Sequence, residues 1–283
     1  MDGILIVNKP KGLTSRDVVN ELCKIFNTKK IGHTGTLDPL AEGVLVVCIG
    51  KATKLVDIIT SMEKEYIAGV KLGILTDTLD TDGNILKEDN CILNKENLLD
   101  TFNYFTKEYM QKVPIYSAVK INGKKLYEYA REGIDVKLPE RLVSIKKIEL
   151  LKVDDSYYEF KTLVSKGTYI RSLIYDINTS LNIIGSMNML IRTKQGKYKI
   201  EESYTLEDIK NNNYKILPIE SIIDNNDFIK IDDSFYKIIK NGSIIENKYD
   251  KDFVNFMYND KLIAIYKIYE KDNTKMKPYK MFI

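Results

Sequence analysis

The sequence predicts an α+β fold, with a mixed domain over residues 1–222 and a small β unit over 227–283. Three observations carry this. Strand-like apolar runs and amphipathic helical stripes are interleaved irregularly up to Lys197. The pattern then turns loop-rich, passes NNN at 211–213 and reaches a linker, IIDNND, at 222–227. Beyond the linker the chain reads as all β, with a turn at Asn241-Gly242 and a strand at KLIAIYKIYE. There is no internal repeat, and no low-complexity segment is long enough to predict disorder.

Taken in order, GILIV at 3–7 reads as a strand that ends in a turn at NKPKG. A helix follows, with Thr14 as N-cap and Asp17 three residues on in a capping box. Its apolar stripe is Val18, Val19, Leu22, Cys23, Ile25 and Phe26. VLVVCIG at 44–50 is a buried strand, KEYIAGVKLG at 64–73 another, and residues 95–104 a helix. A strand then enters a hairpin turn at Asn122-Gly123, and LYEYAR forms a short helix that stops at Gly133. Strands resume at 143–152 and 157–165, with a helix at 171–181.

Composition bounds the function. With 283 residues, 44% apolar and 29% charged, the chain is an ordinary globular protein with room for a core. Its net charge of +3 sets 43 basic against 40 acidic residues, so only local clustering can recruit a polyanion. Cys23, Cys48 and Cys91 form no CxxC pair, and one histidine cannot complete a zinc site with them. A reducing, cytoplasmic setting is expected. The N-terminal apolar run is too short for a signal peptide or a membrane span.

The stretch GHTGTLDPLAEG, 32–43, holds that one histidine, His33, and Asp38. Asp38 followed by Pro39 is a natural N-cap for a one-turn helix, PLAEG. It equally suits a carboxylate held at the mouth of a cleft, and the cap would fix its rotamer. His33 reads as a satisfied histidine or, between Gly32 and Gly35, as a residue a ligand's backbone approaches closely. No GxSxG elbow supports a hydrolase triad. Gly43 to Lys51 lacks the spacing of a phosphate loop, and DTLDTDGN is an Asp-Gly turn rather than a calcium loop. Tyr66 shares a strand face with Ala68, Val70 and Leu72, as a core residue or a pocket wall. In SKGTYIRSL, an extended reading puts Tyr169 and Arg171 on one face, an aromatic ring beside a planar cation suited to carboxylate or phosphate. Lys120, Lys124, Lys125 and Arg131 alternate with Tyr116, Tyr127 and Tyr129, which fits a nucleic-acid contact or a solvated basic hairpin.

Together, NKPKGLTS, GHTGTLDPLAEGVLVVCIGKATK and SKGTYIRSL resemble the TruB family of bacterial tRNA pseudouridine synthases across the catalytic part. KINGKKLYEYAREG resembles that family's RNA-clasping insertion, about 113–138, and LIRTKQG its late leucine-arginine motif. The final block resembles a short, divergent PUA-like RNA-binding β-barrel. The resemblance implies a central, mainly antiparallel mixed sheet and isomerisation of uridine 55 in the T-loop of tRNA. It implies that the target base is flipped from the stack, at about a few kcal/mol.

Asp38 would then be the catalytic carboxylate, attacking C1′ or assisting a glycal route. Either route needs it charged, which a neighbouring arginine favours, and Arg171 is the expected partner. Tyr66 would stack on the base and take up a proton. Tyr169 and Leu190 would line the pocket, Lys9 and Pro10 would support its wall, and His33 would hold the rearranged loop without titrating. No cofactor or metal is implied. The expected partner is tRNA, acted on by a monomer with no obligatory protein partner. One departure stands out: Ile191 follows Leu190 where an arginine is expected, with Arg192 next, so no phosphate contact carries over to position 191. Two further readings stay open, an RNA-folding module with a vestigial centre and an RNA-guided synthase within a larger particle.

Overall fold

A computed structural model describes residues 1–223 and 227–283, so 224–226 of the expected linker lie outside the described residues. Strand β1 (Gly3–Lys9) leads into α1 (Ser15–Ile25). Thr14 Oγ1 accepts from the Asp17 amide at 3.1 Å, and the Asp17 carboxylate accepts from the Thr14 amide at 2.9 Å, completing the capping box. Next come β2 (Ile31–His33), β3 (Glu42–Ile49), α2 (Val56–Ser61) and β4 (Lys64–Leu72). The DTLDTDGN turn joins β5 (Ile74–Thr76) to β6 (Ile85–Glu88), and α3 (Lys95–Phe105) leads to β7 (Glu108–Lys112).

The insertion carries β8 (Lys120–Ile121), β9 (Lys124–Lys125) and α4 (Leu126–Arg131). Asn122 and Gly123 both have positive φ, 52° and 83°, the twist that a two-residue hairpin needs. Long β10 (Glu140–Asp154) and β11 (Tyr157–Val164) then precede α5 (Ile170–Ser180) and β12 (Gly185–Gln195). The short β13 (Tyr198–Lys199) and α6 (Leu206–Lys210) close the large domain.

Among the described residues the main sheet runs β1-β3-β12-β4-β11-β10-β7, with β2 and β13 paired at its side. Every pairing in it is antiparallel except β12 with β3. That parallel contact is close: a Cβ on Gly43 would lie 2.4 Å from the Arg192 carbonyl oxygen, and Gly43 has φ +99°. Only glycine fits both demands.

The period of two explains the continuous apolar run of β3. Leu45, Val47 and Ile49 pack with Leu5 and Val7 beneath α1. Val44, Val46 and Cys48 face the other way, with Ile4 and Ile6, against Met257, Leu262, Ile265 and Phe282 of the C-terminal unit. On β4, Tyr66, Ala68, Val70 and Leu72 share the core beneath α3 and α5.

The C-terminal unit departs from the all-β expectation. Its sheet comprises β14 (Ile229–Lys230), β15 (Ile245–Glu246), β16 (Phe253–Tyr258), β17 (Lys261–Tyr269) and β18 (Asp272–Met281), ordered β14-β16-β17-β18-β15. Between β14 and β15 stands a helix, α7 (Asp233–Lys240). Asp232 caps it by accepting from the Phe235 amide at 2.8 Å, and Gly242, with φ +66°, follows its end. Its Phe, Tyr and Ile content favours strands, but the bracket of Asp232 and Gly242 is a helix signal that outweighs it.

Candidate active site

Asp38 does not cap a helix. Residues 39–40 make a single turn, closed by the Ala41 amide donating to the Asp38 carbonyl at 3.0 Å. The carboxylate turns instead to Arg171, whose Nη2 lies 2.9 Å from Asp38 Oδ2. A charged, forked donor competes better for a carboxylate than one backbone amide does. Nor are Tyr169 and Arg171 in an extended segment: Tyr169 is the N-cap of α5 and Arg171 lies in its first turn. The two still converge, because both line the same cavity.

That cavity encloses about 310 Å³ and is walled by Asp38, Tyr66, Tyr169, Arg171 and Leu190, with Gly35, Lys64, Arg192 and others around them. Sheet register assembles the floor. On β12, Leu190 pairs with Ala68 and Arg192 with Tyr66, so alternate residues of two adjacent strands face one space. Tyr66 is buried at 7% exposure, and its hydroxyl makes no hydrogen bond among the described residues.

Arg171 is clamped from four directions. Its Nη1 donates to the Thr78 carbonyl at 2.8 Å and its Nη2 to the Tyr116 carbonyl at 2.9 Å, in addition to Asp38. Behind it, Asp80 Oδ2 stands 3.7 Å from Nε. Asp80 is itself fixed by the Thr78 hydroxyl at 2.6 Å and the Asp82 amide at 3.2 Å. Burial pushes the Asp80 carboxyl above its ordinary range, against the pull of Thr78 and Arg171. The turn that reads as a calcium-loop mimic thus holds the back of the arginine. Asp80, missed in the sequence, has no local signal, because its partner lies far along the chain.

The loop that carries Asp38 is tied at several points. Ser15 Oγ accepts from the Leu37 amide at 2.8 Å and donates to its carbonyl at 3.2 Å. Lys9 is buried, and its Nζ donates to the carbonyls of Ala41 at 2.6 Å and Pro10 at 2.9 Å. Burial lowers the Lys9 ammonium to about 8, although the Asp38 charge opposes that shift. Arg192 donates to Val44 O at 2.6 Å and Gly35 O at 3.0 Å, while Gln195 donates to Thr34 O at 2.8 Å and Ile59 O at 3.0 Å. Arg192 was missed as a residue that holds this loop, although its spacing, two residues after Leu190 and hence on the same strand face, could have marked it; Gln195 and Ser15 carried no such mark.

His33 ends β2 and does not line the cavity. Its Nδ1 accepts from the Gly35 amide at 3.4 Å. Burial, with Arg16 and Arg192 nearby, holds its pKa below the ordinary value and keeps the ring neutral at pH 7. Pro10 is exposed beside this loop. Lys120, Lys124, Lys125 and Arg131 stand on the insertion, outside the cavity. Lys124 pairs with Glu132 and lies 4.8 Å from the Tyr129 ring, whereas Lys125 donates to the Tyr127 hydroxyl at 2.9 Å. Arg131 lies 5.3 Å from the Tyr127 ring. The base of the insertion, Ser117 and Ala118, reaches the cavity wall.

Residues 23–170 match the model of the TruB family pseudouridylate synthase, N-terminal domain. The chain is 44% identical over 274 residues to tRNA pseudouridine synthase B of Clostridium tetani, covering 94% of this chain and 95% of that protein. The Fusobacterium nucleatum protein of the same name is 49% identical over 201 residues, 71% of this chain and 70% of that one. A chain of a solved Cbf5–Nop10–Gar1 complex superposes with a TM-score of 0.76 at 26% identity, covering 99% of this chain and 85% of its own length. The chain belongs to the TruB family of pseudouridylate synthases.

Proposed function

We propose that this protein converts uridine 55 in the T-loop of tRNA to pseudouridine, acting on bare tRNA without a protein partner. The observation that carries this reading is the Asp38 carboxylate, ion-paired to Arg171 at 2.9 Å inside a cavity floored by Tyr66 and Leu190. The relatives named tRNA pseudouridine synthase B support tRNA as the substrate. The reaction is an isomerisation. The bond from N1 to C1′ breaks, the base turns, C5 bonds to C1′, the C5 proton leaves and N1 gains one.

The target nucleotide enters flipped, its base stacked on Tyr66 between Leu190 and Tyr169. Arg171 pairs with Asp38 through Oδ2 and, among the described residues, leaves Oδ1 unbonded for the chemistry at the sugar. That oxygen either attacks C1′ or assists departure of the base by the glycal route. The unbonded Tyr66 hydroxyl is placed to exchange a proton with base or sugar. His33, neutral and outside the cavity, holds the rearranged loop. The insertion and the C-terminal PUA-like unit grip the flanking RNA.

The test is to incubate the purified chain with unmodified tRNA transcript and map pseudouridine at single-nucleotide resolution. One product in the T-loop is expected. Product at another position, or none from folded protein that still binds tRNA, refutes the assignment.

A further inference from the structure

The cavity holds more positive charge than its ion pair uses. Lys64, Arg141, Lys166, Arg171 and Arg192 line it, and Asp38 is the one acidic side chain among its lining residues. Arg171 is matched by Asp38 and Asp80. The other four cations form no ion pair among the described residues.

Two of the four are buried, Lys64 at 7% exposure and Arg192 at 1%. Lys64 Nζ donates to the carbonyls of Thr60 and Met62, both at 2.7 Å, which leaves one of its three protons unassigned. Burial lowers its pKa to about 8, and the charged groups it feels, Arg192 and Lys166, are both cations that push the same way. Arg192 spends Nε and Nη2 on carbonyls of Val44 and Gly35, and its Nη1 makes no hydrogen bond among the described residues. Both cations flank Gly35. A Cβ there would meet Arg192 Nη1 at 3.4 Å and Lys64 Cε at 3.8 Å, and the residue has φ +152°.

Buried like charges without a counter-ion destabilise a fold, and an incoming anion relieves that. The strand geometry says which anion. Lys64 lies two residues before Tyr66 on the same face of β4, and Arg192 is the cross-strand partner of Tyr66. A nucleotide stacked on Tyr66 therefore brings its own backbone alongside the cluster.

We propose that Lys64 and Arg192, which flank Gly35, form together with Lys166 of the same cavity lining a phosphate subsite that takes a phosphodiester flanking the flipped uridine. This rests on reading the cavity as the uridine pocket. The subsite anchors the nucleotide's backbone while Asp38 and Arg171 act on its sugar, so the base can turn without the nucleotide leaving.

The test is a cycle between protein and RNA. The tRNA is prepared with a neutral methylphosphonate on the 5′ or the 3′ side of the target uridine, and its dissociation constant is measured for the wild type and for Lys64→Met. In the wild type, one of the two replacements is expected to weaken binding about tenfold, as is Lys64→Met with ordinary tRNA. Combined, the two losses should not add, because both remove the same contact. Additive losses at both positions overturn the subsite, and a purely structural role for Lys64 would give that result. Should Lys64→Met fail to fold, the same cycle with exposed Lys166→Met decides, by the same criterion. Pseudouridine mapping with the wild type runs alongside. Absence of product sinks the reading of the cavity, whereas product with additive losses sinks the subsite alone.

Discussion

The loop that carries Asp38 and the insertion after β7 are built by opposite rules. The loop is clasped by Ser15, Lys9, Arg192 and Gln195, all buried and all bonded to its backbone. The insertion rests on two two-residue strands and a six-residue helix, with Leu126 as that helix's buried residue. Apart from its bond to Arg171, the ion pair of Lys124 and the ring contacts of Lys124 and Arg131 lie near the surface, where they add little stability. Under the proposed function the difference separates two tasks. Bond breaking needs a carboxylate held to a fraction of an ångström, which redundant buried contacts provide. Gripping a folded RNA needs a surface that adapts, which a lightly anchored hairpin provides. Arg171 joins the two, because the same Nη2 that holds Asp38 also donates to the carbonyl of Tyr116 in the insertion.

The strongest way to sharpen the contrast is at its centre. Asp38→Asn should lower the rate of pseudouridine formation by at least ~10³-fold while tRNA binding survives in a filter or anisotropy assay. Measurable turnover would take catalysis away from that loop. Arg171→Lys keeps the charge but not the fork, and should lower the single-turnover rate by about 100-fold with the tRNA dissociation constant little changed. A change in affinity alone would place Arg171 with the recognition surface instead.

Stability separates the regions next. Arg192→Met removes two buried charge-assisted bonds to the loop and should reduce the free energy of unfolding by roughly 3 kcal/mol, read by urea titration. The buried lysines give a pH signature of the same region. Lys9 and Lys64 have folded pKa values of about 8 against an ordinary 10.5, so above pH 8 the folded state releases their protons before the unfolded chain does. Their contribution to stability therefore rises from pH 8 to 10.5, by up to ~3 kcal/mol per lysine, and Lys64→Met should flatten that rise. A fall in the wild type's contribution from these two groups would reverse the sign of the burial argument.

The smallest expected effect lies in the insertion. Replacing Lys124, Lys125 and Arg131 by Ala should raise KM for tRNA about tenfold, lower the salt slope by ~2 to 3 and leave kcat unchanged. Thermal stability should shift by no more than ~0.5 kcal/mol per site. A loss of kcat would mean that the insertion sets the active-site geometry through Tyr116 as well as binding RNA.

Much of this molecule is written in short stretches of its sequence. The capping box at Thr14 and Asp17, the Asn122-Gly123 hairpin and the helix from Leu126 to Arg131 each follow from contacts within a few residues. So does α7, whose bracket of Asp232 and Gly242 was legible but lost to the strand preference of the residues between. The motif around Asp38 names the family, and of the two readings it left open for the carboxylate the cap does not form, since local spacing knows nothing of an arginine on α5. Arg171 as the partner of Asp38 was already expected from the resemblance, and the ion pair is present at 2.9 Å; only the tertiary structure decided that Asp80 stands behind it and that Arg192 and Gln195 tie down the loop. The reason is physical. Caps and turns are set by bonds that close within one turn of backbone, whereas these partners are chosen by the register of β4 against β12 and the packing of α5 over them.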